Sequence, residues 1–147
     1  MTHPSYQISY DVAAVPVPRL MELFASTWWA AGRTETQTRA ILAGSDVVVT
    51  VVRRQSTPLA GFARVLTDRT YLAVVLDVIV AADVRGVGIG AMVMDAVLAH
   101  PWVAGVHSVE LVCQPELTGF YERWGFTQRV GRSRLMRRTA DASLAGE

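Results

Sequence analysis

Residues 77–100, DVIVAADVRGVGIGAMVMDAVLAH, constrain this chain more than any other stretch. They begin as an almost uninterrupted apolar segment. They pass through three glycines at alternate positions, Gly86, Gly88 and Gly90, and then place Ile89, Met92, Val93, Ala96 and Val97 at helical spacing. A strand therefore feeds a helix through a turn with little side-chain cover. The bare amides and the positive end of the helix dipole form an anion site there. Arg85 adds a fixed positive charge beside it. The combination suits a phosphate or pyrophosphate. The helix ends at His100-Pro101, because the residue before a proline avoids the α region.

The segments ahead of this stretch decide what sheet it joins. Residues 46–52, 59–66 and 71–80 are apolar and rich in β-branched side chains, with short polar turns between them. They read as an antiparallel meander, the last strand buried on both faces. Before them come a weak strand over 6–10, a helix introduced by Pro16 and Pro18, a loop around Gly32, and a second helix over 35–42. After the glycine helix come a strand over 108–113 and a helix presenting Leu117, Phe120, Tyr121 and Trp124 on one face, closed by Gly125. Residues 126–137 are expected to supply one or two final strands. The fold class is α/β (α+β), a mixed, mainly antiparallel sheet flanked by about four helices. One domain is expected over 1–138, with a flexible tail over 139–147.

With 147 residues, 51% hydrophobic and 18% charged, the chain has enough apolar material for one unstapled core and is not disordered. A net charge of +1 draws it toward neither nucleic acid nor an anionic membrane. The basic run Arg132, Arg134, Arg137 and Arg138 reads as a solvated edge strand. The most apolar stretch, 71–82, is too short to span a membrane and is broken by Asp77. One cysteine, Cys113, excludes an intrachain disulfide, argues against a metal site, and suits the cytoplasm, as does an N-terminus without a secretory pattern.

The glycine turn admits three readings. A P-loop needs Lys-Ser or Lys-Thr after its last glycine, and here Ala91-Met92 follow. The dinucleotide fingerprint G-x-G-x-x-G/A matches Gly86, Gly88 and Ala91, with Glu110 about 20 residues on. Its context is wrong, since residues 81–84 separate strand from loop, a meander comes first, and Glu110 falls within a strand. The third reading is a resemblance. Arg85-Gly86-Val87-Gly88-Ile89-Gly90 resembles the R/Q-x-x-G-x-G/A acyl-CoA loop of the GNAT N-acetyltransferases. Phe120-Tyr121-Glu122-Arg123-Trp124-Gly125-Phe126 resembles their F-Y-x-x-x-G-F segment, in the right order and spacing. Val78, Val80 and Ala82 stand where the family has apolar-x-apolar-x-Pro, so the proline is missing. The resemblance covers residues 73–126.

The resemblance implies acetyl transfer from acetyl-CoA to a primary amine by direct attack in a ternary complex, without a metal. The cofactor pyrophosphate is expected on the loop Gly86, Val87, Gly88, Ile89 and Gly90, with Arg85 nearby. The pantetheine arm is expected along Val78, Ile79 and Val80, where it adds like a strand, and a backbone amide near Ile79 would stabilise the thioester oxygen. A bulge at Asp77 or Val78 and a splayed neighbouring strand come with this reading. Tyr121 matches the general-acid tyrosine, and Gln114 takes the place of an asparagine that contacts the arm.

The base is Asp77 or Glu110. Asp77 is the only acid in an apolar strand, costly to bury unless paired (with Arg64, for one) or functional. Strict alternation would put it on one face with Val75 and Ile79. Cys113 has no activating partner at recognisable spacing and reads as a structural thiol. The acceptor site is implied over residues 24–35, where Trp28 and Trp29 offer an aromatic wall and Arg33 a carboxylate partner. The acceptor is expected to be a small-molecule amine, with a peptide N-terminus or a protein lysine as alternatives. A homodimer through the last strands is implied by resemblance alone. Two other functions stay open: a non-catalytic acyl-CoA sensor, which would not need Tyr121, and a dinucleotide-dependent oxidoreductase.

Overall fold

The computed structural model describes residues 5–55 and 58–146. Two compact units appear, Met1–Leu111 and Val112–Glu147.

The first unit is a five-stranded sheet in the order β1-β2-β3-β4-β5. The strands are β1 (Tyr6–Ser9), β2 (Val47–Arg53), β3 (Leu59–Thr67), β4 (Leu72–Val80) and β5 (Ser108–Leu111). Strands β2, β3 and β4 form the expected antiparallel meander, β1 adds antiparallel to β2, and β5 joins β4 in parallel. That last pairing requires a crossover, which is the glycine turn and its helix.

Helices α1 (Val17–Ala25) and α2 (Glu35–Gly44) cover one face of the sheet. Pro18 suits the first turn of α1, where a missing N–H costs nothing, and Val17, Leu20, Leu23 and Phe24 are its buried stripe. Thr34 caps α2 by accepting from the Gln37 amide, while the Gln37 side chain accepts from the Thr34 amide. Leu20, Phe24, Leu42, Val48, Phe62 and Ile79 form the core on this side. Phe24 and Phe62 meet edge to face at 5.9 Å.

Helix α3 (Ile89–Ala99) covers the opposite face. A Cβ on Gly61 would lie 2.9 Å from both Ile89 Cγ2 and Val93 Cγ2, so the helix rests directly on the β3 backbone. Side chains alternate along β3, so Gly61, Ala63 and Val65 face α3, whereas Phe62 and Arg64 face α1. His100 ends α3 as expected. Its Nδ1 also accepts the Trp102 amide at 3.1 Å and so caps a further one-turn helix, α4 (Pro101–Ala104), which the sequence reading did not foresee.

The second unit holds α5 (Thr118–Glu122), preceded by a 3-10 turn at Pro115–Leu117. Residues 126–138 form no strand among the described residues, so the final strands expected from the sequence are absent. The segment carries Arg129, Arg132, Arg134, Arg137 and Arg138 around Gly131, and all but Phe126 are exposed. Too few apolar side chains are present to seat it on a sheet. The strands that a dimer contact would have used are therefore not formed.

Candidate functional site

Beyond Val80 the chain stays tied to the sheet, since the Ala81 amide donates to the Ala60 carbonyl at 2.8 Å. A 3-10 turn at Ala82–Val84 follows, anchored by the buried Val84. Arg85 is extended and exposed. Gly86 then adopts φ +86° and Gly88 φ +91°, and α3 begins at Ile89 with no side chain capping it. Nothing lies within 4 Å of a Cβ built on either glycine. Both are required by backbone angle, not by crowding, because L side chains are strained at such φ. The outcome is an open loop of amides at the start of an eleven-residue helix, with Arg85 beside it. This arrangement fits an anionic group such as a pyrophosphate.

The strand that delivers the loop is irregular. Phe62 pairs with Ile79 and Arg64 with Leu76, so two β4 residues, Asp77 and Val78, stand against Ala63 alone. This is the bulge expected at Asp77 or Val78. Asp77 takes φ +55°, a left-handed conformation that Asp tolerates better than most residues. The extra residue switches side-chain parity. Val75, paired with Val65, faces α3, whereas Ile79, paired with Phe62, faces α1. Alternation from the sequence put Asp77 on one face with both. The bulge corrects this: Asp77 shares the face of Arg64 and Ile79 and is turned away from Val75.

There the Asp77 carboxylate, with its side chain only 5% exposed, is held by two arginines. Arg33 Nη1 and Nη2 donate to its Oδ2 and Oδ1 at 2.8 and 3.0 Å, a two-pronged contact. Arg64 Nε donates to Oδ2 at 2.6 Å. The Arg33 guanidinium also lies 4.5 Å from the Phe24 ring centre and 5.7 Å from that of Trp29. The loop between α1 and α2 is thus fastened to the bulge. Expected in separate roles, Arg33 and Asp77 are brought together by the fold. The signal for pairing Asp77 was its isolation in an apolar strand, but no spacing rule could have found a partner 44 residues away.

The other expected residues fall as follows. Pairing of β4 with β5 runs only from Leu72–Ser108 to Val75–Leu111. Residues 76–80, with Val78, Ile79 and Val80, continue past the last β5 pair. Glu110 pairs with Val74 and is exposed, on the same sheet face as Arg64 and Asp77. Trp29 packs on the core, while Trp28 is 62% exposed. In the second unit, Gln114 precedes the 3-10 turn and its carbonyl accepts the Leu117 amide. Tyr121 is buried, with its ring edge to face on Phe120 at 4.9 Å and on Phe126 at 6.1 Å. Burial, with a smaller contribution from Cys113, pushes the Tyr121 phenol up to about 12. It therefore holds its proton throughout the neutral range. Burial and Glu116 likewise push the Cys113 thiol up, which opposes the thiolate a nucleophile needs. Among the described residues no cluster of His, Cys, Asp or Glu is placed to hold a metal ion, and no helix is long and apolar enough to cross a membrane.

Comparison with known proteins agrees with this geometry. A family model for the acetyltransferase (GNAT) domain matches residues 22–137. The crystal structure of a GNAT-family protein from Xanthomonas campestris pv. campestris superposes with a TM-score of 0.81 at 28% identity, covering 94% of this chain and 95% of that one. Serotonin N-acetyltransferase 2, chloroplastic, of Oryza sativa subsp. japonica is 35% identical over 124 residues, 82% of this chain and 61% of its own length. An uncharacterized N-acetyltransferase of Porphyra purpurea is 28% identical over 109 residues, 73% of this chain and 62% of that protein. The chain thus spans about three fifths of these curated relatives. Its fold, its glycine turn and the extent of the family match agree: the chain belongs to the GNAT acetyltransferase family.

Proposed function

We propose that this protein moves the acetyl group of acetyl-CoA to the primary amine of a small molecule, by direct attack in a ternary complex. The observation that carries this reading is the loop from Arg85 to Gly90, whose two left-handed glycines leave the α3 amides uncapped beside a free guanidinium. Acetyl-CoA supplies an activated thioester. The loop binds its pyrophosphate, and the β4 backbone from Val78 to Val80, running past the last β5 pair, receives the pantetheine arm as an added strand. The amide near Ile79 stabilises the oxyanion. Gln114 steadies the arm.

Tyr121 serves as the general acid for the departing thiolate. With its phenol pushed up to about 12, it keeps its proton across the neutral range, the state a general acid needs. Glu110 has the stronger claim as the base, directly or through water. Asp77 already accepts three hydrogen bonds from two guanidiniums, which fill three of the roughly four lone-pair sites of a carboxylate and stabilise its ionised form. The relative named for serotonin is by its name an enzyme of a small amine, which supports a small acceptor over a protein lysine.

A thermal melt tests the reading. Acetyl-CoA at about 100 times its dissociation constant adds about 2.7 kcal/mol, which should raise the Tm by roughly 5–10 °C, while NADH and ATP leave it unchanged. Tyr121→Phe should keep that shift and lose turnover by roughly 100-fold or more, the ordinary contribution of a general acid. A shift that survives with no turnover of any amine in the wild type would favour the sensor reading. A shift with NADH alone would favour the oxidoreductase.

A further inference from the structure

We infer that the acceptor carries an anionic group, a carboxylate or phosphate, and that the free edge of Arg64 receives it; this rests on the acetyl-transfer reading above and names its substrate class. Three ionic side chains meet at the β4 bulge, and their charges do not balance. Arg33 and Arg64 bring two positive charges and Asp77 brings one negative charge. The side chains are only 22%, 14% and 5% exposed, so an excess of one positive charge sits where water compensates it poorly.

The two arginines are used differently. Arg33 spends both terminal nitrogens on Asp77, and its plane lies against Phe24 and Trp29. Arg64 spends only Nε. Its two Nη groups have no partner among the described residues. No fully buried side-chain nitrogen or oxygen there lacks a hydrogen bond, so those groups reach solvent. The Nη1–Nη2 edge of a guanidinium matches two oxygens of a carboxylate or phosphate. Asp77 locks the Arg64 stem, so the edge is presented with little rotamer freedom left to lose. Glu110 stands on the same sheet face. An acceptor anchored by its anion on Arg64 would therefore offer its amine on the face that holds the free carboxylate.

Matched amines test this directly: phosphoethanolamine against ethanolamine, and β-alanine against β-alaninamide, with thiol release as the readout. The anionic member of each pair should have a kcat/KM at least about 10-fold higher, the effect of one charge-assisted contact. Arg64→Gln should abolish that preference through KM of the acceptor, leaving KM for acetyl-CoA unchanged. Arg64→Lys, which keeps charge but loses the fork, should recover part of it, and it serves alone if Arg64→Gln does not fold. Equal use of both members, or a preference that survives Arg64→Gln, overturns the proposal. A rise in KM for acetyl-CoA in the variant assigns the edge to the cofactor's phosphates and also overturns it. If no amine is acetylated, calorimetric titration with phosphoethanolamine and inorganic phosphate decides: binding at least 10-fold weaker in Arg64→Gln upholds the anion site, and no difference overturns it. A protein that binds these anions through Arg64 but shows no acetyl-CoA shift would keep the site and lose the transfer reading.

Discussion

The glycine loop and the Asp77 bulge both leave regular backbone geometry, and they are built in opposite ways. The loop is made of backbone. Its two left-handed residues are glycines, nothing crowds them, and its working groups are main-chain amides. The bulge is made of side chains. Its left-handed residue is an aspartate, and three charged groups from α1–α2, β3 and β4 hold it. A loop of the first kind tolerates change around it but not within it. A cluster of the second kind is only as stable as its charge balance.

The largest effect should come from breaking that balance. Asp77→Leu leaves two guanidiniums facing each other in a largely buried space. Removal of one member of a buried ion pair typically costs about 3–5 kcal/mol, which for this chain length should lower the Tm by roughly 10–15 °C. The triple replacement Arg33→Met, Asp77→Leu, Arg64→Met should recover most of that loss, because apolar groups of similar volume need no solvation. It should also abolish any preference for anionic acceptors. Recovery of both stability and preference would mean that the cluster neither stores the charge nor uses it.

A smaller change in stability, with a larger one in binding, is expected at the loop. Gly88→Val forces a β-branched residue to φ +91° at a cost of roughly 1–2 kcal/mol. The amides on either side then leave their positions. Loss of one or two charge-assisted hydrogen bonds, about 1.5–3 kcal/mol each, should weaken acetyl-CoA by about 100-fold in a calorimetric titration. The same titration on Asp77→Leu should show a weaker effect, since its damage is to folding. If the two variants rank the other way, the cofactor is held by the bulge and not by the loop.

This contrast also explains what the sequence revealed. The meander, the two helices of the first face and the strand–glycine–helix unit were legible because each is written locally, as alternation, as a 3.6 period, or as glycines at fixed offsets. Gly86 and Gly88 marked the turn by residue type, although their left-handed angles emerge only in the structure, where Gly90 is helical. Asp77 announced that it needed a partner, and Arg64 in the neighbouring strand was a candidate; Arg33, 44 residues away, was not. Its partners, Arg33 and Arg64, come from other elements, and the bulge that turns it toward them changes the parity on which any strand reading depends. The missing final strands failed for a related reason. The local pattern of 126–138 permits extended chain, but a strand needs a neighbour to pair with, and the arginines there provide no apolar face to recruit one.

Gly61 links the two regions, and its substitution gives the finest test. It pairs with Val80, the last residue before the link to the loop, and its missing side chain is what lets α3 sit on the sheet. Gly61→Ala puts a methyl group 2.9 Å from the Cγ2 atoms of Ile89 and Val93. Such overpacking costs about 1–3 kcal/mol, and because backbone carries Gly61, the helix must yield. Ile89 is the first residue of α3 and Val93 one turn on, so the displacement falls on the end that presents the loop amides. Gly61→Ala should therefore weaken acetyl-CoA binding more than its loss of stability implies, while the anion preference at Arg64, on the other face of β3, stays unchanged. Adding Val93→Ala should relieve part of the strain. A double-mutant cycle should then give a coupling of about 1 kcal/mol in stability and recover part of the affinity. A cycle with no coupling would show that α3 does not rest on Gly61, and the placement of the loop would have to be sought in Ala81 and Val84 instead.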